Sequence, residues 1–191
     1  MRIVAGEFRG RRLRAPTGDS TRPTSDRMRE TLFNILQHRF AGLLDEARVL
    51  DLFAGTGALG LEALSRGARF CLFVEIAAGA RALIRDNVEE LGLQGRSRIF
   101  RRDATRLGPA GTMQPFSLLL ADPPYGRRLG EAALRSAAEG GWLEAGALAI
   151  VEEAAAAGFE TPAGFEPIDR VGHGATVLHL LSWRGSPGTD S

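Results

Sequence analysis

Residues 48–60 read Arg-Val-Leu-Asp-Leu-Phe-Ala-Gly-Thr-Gly-Ala-Leu-Gly, an apolar strand that breaks into glycines at positions 55, 57 and 60. That spacing predicts a tight turn opening a helix, with backbone free to approach a ligand at the helix N-terminus. A strand feeding a helix in this way commits the chain to parallel strands joined by crossover helices, because parallel neighbours cannot be linked by a short turn. Hydrophobic periodicity elsewhere agrees. It predicts strands at 48–53, 70–75, 97–102, 117–122, 147–152, 166–171 and 176–183, with helices at 58–66, 77–91 and 128–139. Ahead of these, Thr24 or Ser25 can cap a helix running to about Phe40, with Met28, Leu32, Ile35 and Leu36 as its core stripe. The short connection at Gly172-His173-Gly174 leaves no room for a crossover helix between the last two strands, which must therefore pair antiparallel.

The glycine loop is not a P-loop, since no Lys-Ser or Lys-Thr follows it and the chain contains no lysine at all. Acids at strand ends narrow the ligand further. Asp51 stands just before the loop, where a pyrophosphate would be repelled and the cationic amino group of S-adenosylmethionine would be held. Glu75 closes the second strand where a doubly wound sheet places a ribose, and Ile76 beside it offers an apolar face for adenine. Asp103 and Ala104 follow the third strand and could read the adenine amino edge. Phe53, Gly55 and Gly57 complete the candidate cofactor set. Any one such acid is as readily a helix cap or a solvated loop residue. Their recurrence at successive strand ends carries the argument.

The fourth of these strands ends in Asp122-Pro123-Pro124-Tyr125. An exocyclic amino group on guanine or adenine is a poor nucleophile while its lone pair is delocalised into the ring. The Asp122 carboxylate and the Pro123 carbonyl could each accept one N–H and draw the nitrogen toward tetrahedral geometry. Pro123 and Pro124 stiffen the turn, so the acceptors need not reorganise. Tyr125 could stack on the base. These four residues are the candidate catalytic set.

The run Asp51 to Ala63, the Asp122-Pro123-Pro124-Tyr125 turn and the leader resemble the RsmD family of bacterial rRNA methyltransferases. In the leader the similar segments are Arg2 to Gly6, Arg9-Gly10-Arg11 and Arg22 to Asn34, so the resemblance covers most of residues 1–153. It implies a Rossmann-like class I methyltransferase: a seven-stranded, mostly parallel sheet with one antiparallel strand, preceded by an N-terminal β-hairpin and helix. It also implies direct in-line transfer of a methyl group from S-adenosylmethionine to N2 of one guanine in 16S rRNA, within the small ribosomal subunit or its assembly intermediate. After Glu75 the family often carries a polar or charged pair, where this chain has Ile76-Ala77-Ala78-Gly79 and so a weaker helix start. Two other readings compete. Similar proline motifs serve DNA adenine N6 and protein glutamine, although DNA enzymes of that kind usually add a target-recognition domain for which this chain has no room. The glycine loop alone would also suit a nicotinamide-dependent oxidoreductase or a non-catalytic nucleotide-binding module.

Charge locates the expected RNA grip. Residues 1–14 hold Arg2, Arg9, Arg11, Arg12 and Arg14 against Glu7, a balance of +4 in a chain whose net charge is +1. Guanidinium forks contact phosphates bidentately, so Arg9, Arg11, Arg12 and Arg22 are expected to bind RNA backbone from a hairpin arm. The expected organisation is an arm over 1–23, a methyltransferase domain over 24–183 and a disordered tail over 184–191. The only cysteine, Cys71, lies within an apolar strand and reads as a core residue. His38, His173 and His179 show no metal spacing, so no metal is expected. No apolar run reaches membrane-spanning length and the N-terminus has no apolar signal core, which points to a cytoplasmic protein. Nothing in the sequence demands a dimer, so a monomer is expected.

Overall fold

A computed structural model describes residues 1–16 and 23–185, without the side chains of residues 23–26 and 173. Arg22, the Thr24 or Ser25 cap, the side chain of His173 and the last six residues of the expected tail lie outside that description. Seven strands make a mostly parallel sheet, and the chain divides into two compact units, Met1–Arg101 and Arg102–Ser191.

The first unit contains α1 (Pro23–Arg39), β1 (Arg48–Leu52), α2 (Ala58–Ser65), β2 (Phe70–Val74), α3 (Ala78–Glu90) and β3 (Ser97–Phe100). Its strands run in the order β3-β2-β1 and pair parallel, with Asp51 opposite Phe73 and Val74 opposite Phe100. Val49, Leu50, Leu52, Cys71, Leu72 and Phe73 are fully buried, as a parallel sheet covered by helices requires. Cys71 is a core residue, its thiol pushed well above the ordinary value by burial and then by the Asp51 charge. On α1, Met28, Leu32 and Leu36 are buried as expected, while Phe33 takes the central place and Ile35 is only half-buried.

The N-terminal segment is held down. Arg2 faces Arg12 in an antiparallel bridge, Ile3 and Gly10 close the turn, and Ile3 and Leu13 are buried. Its anchor is Glu62 on α2, fully buried, whose two carboxylate oxygens accept from Val4 N at 2.8 Å and Ala5 N at 3.0 Å. Arg66 Nε meets the same carboxylate at 2.7 Å, so the buried charge is paired. Ser65 Oγ donates to Ala5 O and accepts from Phe8 N, fastening the segment one residue further along α2.

The second unit contains β4 (Phe116–Ala121), α4 (Leu129–Glu139), β5 (Leu143–Ala154), β6 (Phe165–His173) and β7 (Thr176–Trp183). The strand order is β4-β5-β7-β6, with β4 and β5 parallel and β7 antiparallel to both β5 and β6. His173 pairs with Thr176 across a two-residue turn. β5 starts four residues before its expected position. Its first residues, with Gly146 at φ 83°, pass an irregularity in the pairing between Phe116 and Leu118 of its partner. Arg184, placed in the expected tail, donates its backbone N–H to Gly164 O at 3.0 Å and pairs with Glu166.

Candidate active site

In the first unit the strand-end acids organise the glycine loop. Asp51 is the penultimate residue of β1, buried, and its Oδ2 accepts from Gly60 N at 3.0 Å. A side chain at position 60 would collide with Cys71 and Phe73, so only glycine lets α2 approach the sheet this closely. Phe53, the first residue after β1, holds φ at 57°, a conformation that non-glycine residues seldom adopt and that marks a backbone constrained by its surroundings. Gly57 sits at φ 80° as the N-cap of α2, where a Cβ would be strained.

Glu75 immediately follows β2 and spans two elements. Its Oε2 accepts from Gly55 N at 2.9 Å, and its Oε1 accepts from Ala77 N at 2.8 Å, at the start of α3. The helix has no side-chain cap of its own, so Glu75 supplies what the Ile-Ala-Ala-Gly sequence lacks. Each oxygen retains a further lone pair. Ile76 beside it is 64% exposed, a large apolar side chain left open next to an acid. Two residues absent from the sequence argument complete this corner. Arg81 donates to the carbonyls of Glu75 and Ile76, at 3.2 and 2.5 Å. Asn87, buried on α3, donates to Thr56 O in the loop at 3.1 Å while accepting from Arg14 N at 2.7 Å. An amide in the middle of a helix face was the available signal.

In the second unit, Asp103 stands three residues beyond β3, and its Oδ1 accepts from Thr105 N at 2.9 Å and Thr105 Oγ1 at 2.7 Å. It caps a short 3-10 turn in which Ala104 is buried. Asp122 follows β4 directly. Part of its surface reaches solvent, but protein atoms displace much of the water around its carboxyl. That desolvation, then the charge of Glu152, then that of Glu153, pushes its pKa up to about 7. Register explains the neighbours, because Ala121 pairs with Val151 and the next residues in line are Asp122 and Glu152.

Pro123 is buried and Pro124 exposed. Tyr125 is 41% exposed, and its hydroxyl donates to Glu152 Oε1 at 2.6 Å. Gly126 N donates to Glu153 Oε1 at 2.9 Å, so the turn is tied to two successive acids of β5. Gly130 admits α4 against Val151 and Pro123, since a Cβ there would crowd the Val151 side chain at 2.6 Å. Sequence reasoning missed Glu152 and Glu153, although they too are acids closing an apolar strand. Away from the turn, His179 stacks on Phe159 with ring centroids 4.1 Å apart, and His38 is exposed on α1. Among the described residues no three His, Cys, Asp or Glu side chains are grouped to hold a metal ion.

The exposed Arg9 and Arg12 have no side-chain partner among the described residues, while Arg11 donates to Glu90 O at 3.3 Å. Arg14 is tied to Asp86 and Glu90 at 3.3 and 3.6 Å.

A mostly parallel sheet with one antiparallel strand, a glycine loop after β1 and an Asp-Pro-Pro-Tyr turn after β4 define a Rossmann-like methyltransferase. The family model described as conserved hypothetical protein 95 matches residues 1–182, and the chain belongs to this, the RsmD, family. Ribosomal RNA small subunit methyltransferase D of Escherichia coli K12 is 39% identical over 162 residues, 84% of this chain and 78% of that protein. The solved structure of the Escherichia coli protein yhhF matches at a TM-score of 0.82 and 34% identity, covering 97% of this chain and 99% of that one. The 16S rRNA N2 G1207 methyltransferase of Thermus thermophilus, solved with AdoMet and guanosine, shares the fold at a TM-score of 0.65. Its identity is 19%, and the match covers 89% of this chain and 45% of that one.

Proposed function

We propose that this chain transfers a methyl group from S-adenosylmethionine to the exocyclic N2 of a guanine in 16S rRNA, by direct in-line displacement, on the small subunit or its assembly intermediate. The observation that carries the reading is the stiffened turn after β4, where Asp122 and the Pro123 carbonyl stand as acceptors beside an exposed aromatic ring. Membership of a family whose curated relatives are named as small-subunit rRNA methyltransferases supports the substrate class.

The first unit fits the cofactor. Glu75 has lone pairs left for the ribose hydroxyls, Ile76 is open for the adenine face, and Asp51 lies beside the loop for the amino group. Phe53, Gly55 and Gly57 shape the cradle, and Asp103 and Ala104 are assigned to the adenine edge. When bound, the cofactor supplies a methyl group on a positively charged sulfur. Asp122 and the Pro123 carbonyl hold the two N–H groups of the target and turn its lone pair outward. An ionised Asp122 can then take the proton the nitrogen releases once its new bond to carbon has formed, and a carboxyl near neutrality suits that transfer. Tyr125 carries the base. Arg9 and Arg12, with Arg11 and Arg22, contact phosphates without reading sequence.

On this reading the protein works in the cytoplasm, with its substrate, and as a monomer. No helix among the described residues is long and apolar enough to cross a membrane. Incubation with labelled S-adenosylmethionine and either small subunits or duplex DNA tests the reading. Label in 16S rRNA is expected; label in DNA or in protein instead would overturn it.

A further inference from the structure

Tyr125 lies in an irregular turn four residues past the end of β4, where nothing in the regular backbone fixes its two side-chain torsions. What fixes it is a bond across to the neighbouring strand. Its hydroxyl donates to Glu152 Oε1 at 2.6 Å, a short hydrogen bond to a carboxylate of the strong, charge-assisted kind. The backbone of the next residue is pinned independently, by Gly126 N on Glu153 Oε1 at 2.9 Å. With its hydroxyl held at one end and its backbone at the other, the ring's long axis is fixed. Because a phenol O–H prefers the plane of its own ring, the single acceptor at Glu152 also biases rotation about that axis. A phenylalanine at this position could not be held this way.

We infer that Glu152 is a positioning residue, which through the Tyr125 hydroxyl holds in place and orients the ring on which the target base stacks. This rests on the methyl-transfer reading proposed above. A base stacked on a fixed ring presents its amino group to Asp122 and Pro123 at one height and one angle. A ring free to rotate spreads the same base over many poses, few of them close to the reacting geometry. The effect falls on turnover rather than on affinity, because phosphate contacts dominate the binding of an RNA substrate.

Tyr125 is the only tyrosine in the chain, so its phenol absorbance can be titrated without interference from another. Burial raises the phenol above its ordinary value, followed by the bond to Glu152 and the charges of Asp122, Glu152 and Glu153. Glu152→Ala should therefore let the phenol ionise at lower pH than in the wild type. On small subunits, assayed well above pH 7 so that Asp122 is ionised with or without the Glu152 charge, Glu152→Ala and Tyr125→Phe should each lower kcat on the order of ten-fold with KM for the RNA nearly unchanged. The double variant should lose no more than either single one, since both remove the same bond. Glu152→Gln, whose amide oxygen can still accept the hydroxyl, should keep most of the activity. An unshifted phenol titration in Glu152→Ala, or losses that multiply in the double variant, would overturn the inference while leaving the proposed function intact. A wild-type protein that methylates no rRNA would instead overturn the function itself, and this assignment with it.

Discussion

At the scale of single residues, Asp122 carries the largest consequence. A carboxyl whose pKa lies near 7 gains and loses its proton within the physiological range, and only its ionised form accepts both an N–H bond and the released proton. The sign follows: kcat on small subunits should rise as pH increases through about 7 and fall below it, with the slope lost in Asp122→Asn. A flat profile between pH 6 and 8 would contradict that role. Asp122→Ala should bind S-adenosylmethionine as the wild type does, by calorimetry, and lose on the order of 10²–10³ in rate. Turnover within a few-fold of wild type would remove Asp122 from the chemistry. Asp122 was legible because it closes an apolar strand beside two prolines. Glu152 was not, because its bond to Tyr125 spans 27 positions and exists only once β5 lies beside β4.

Among the elements, the glycine loop, α2 and α3 depend on two buried or bridging acids. Glu75 joins the loop to α3 through Gly55 and Ala77, so its removal takes away the proposed ribose acceptor together with the cap of a helix that has no other side-chain cap. Glu75→Ala should weaken S-adenosylmethionine binding by roughly 1.5–3 kcal/mol, and equal affinities by calorimetry would exclude it from the site. Glu62 was invisible as an anchor. An acid in a helix reads as solvated, yet here it is fully buried, paired with Arg66 and holding Val4 and Ala5 by their backbone. Glu62→Ala leaves Arg66 and the two N–H groups without their partner and should destabilise the fold by about 3–5 kcal/mol in denaturant unfolding. A loss below about 1 kcal/mol would mean that Ser65, Asn87 and the buried Ile3 and Leu13 hold the segment without it. The order and type of elements were readable because the parallel strands are short, continuous apolar runs. The early start of β5 was not, since Glu144, Ala145 and Gly146 are exposed and offer no apolar run, and only pairing with β4 reveals them as strand.

For the whole molecule, the leader's arginines must be divided by what already holds them. Arg14 and, more weakly, Arg11 are tied to α3, whereas Arg9 and Arg12 project with no partner among the described residues. The sequence grouped Arg11 with Arg9 and Arg12 as phosphate contacts, with no sign of its bond to Glu90 on α3. Replacing Arg9 and Arg12 by Ala should flatten the slope of log K against log salt by about 0.7–0.9 for each phosphate no longer neutralised, with cofactor affinity unchanged. An unchanged slope would place the RNA grip elsewhere on the chain. The central claim, methyl transfer to one guanine of 16S rRNA, is tested most directly by mass mapping of 16S rRNA from cells with the gene, without it, and with it replaced by the Asp122→Ala form. The account predicts one methylated guanine in the first and the same guanine unmodified in the other two. An identical methylation map in all three would contradict it.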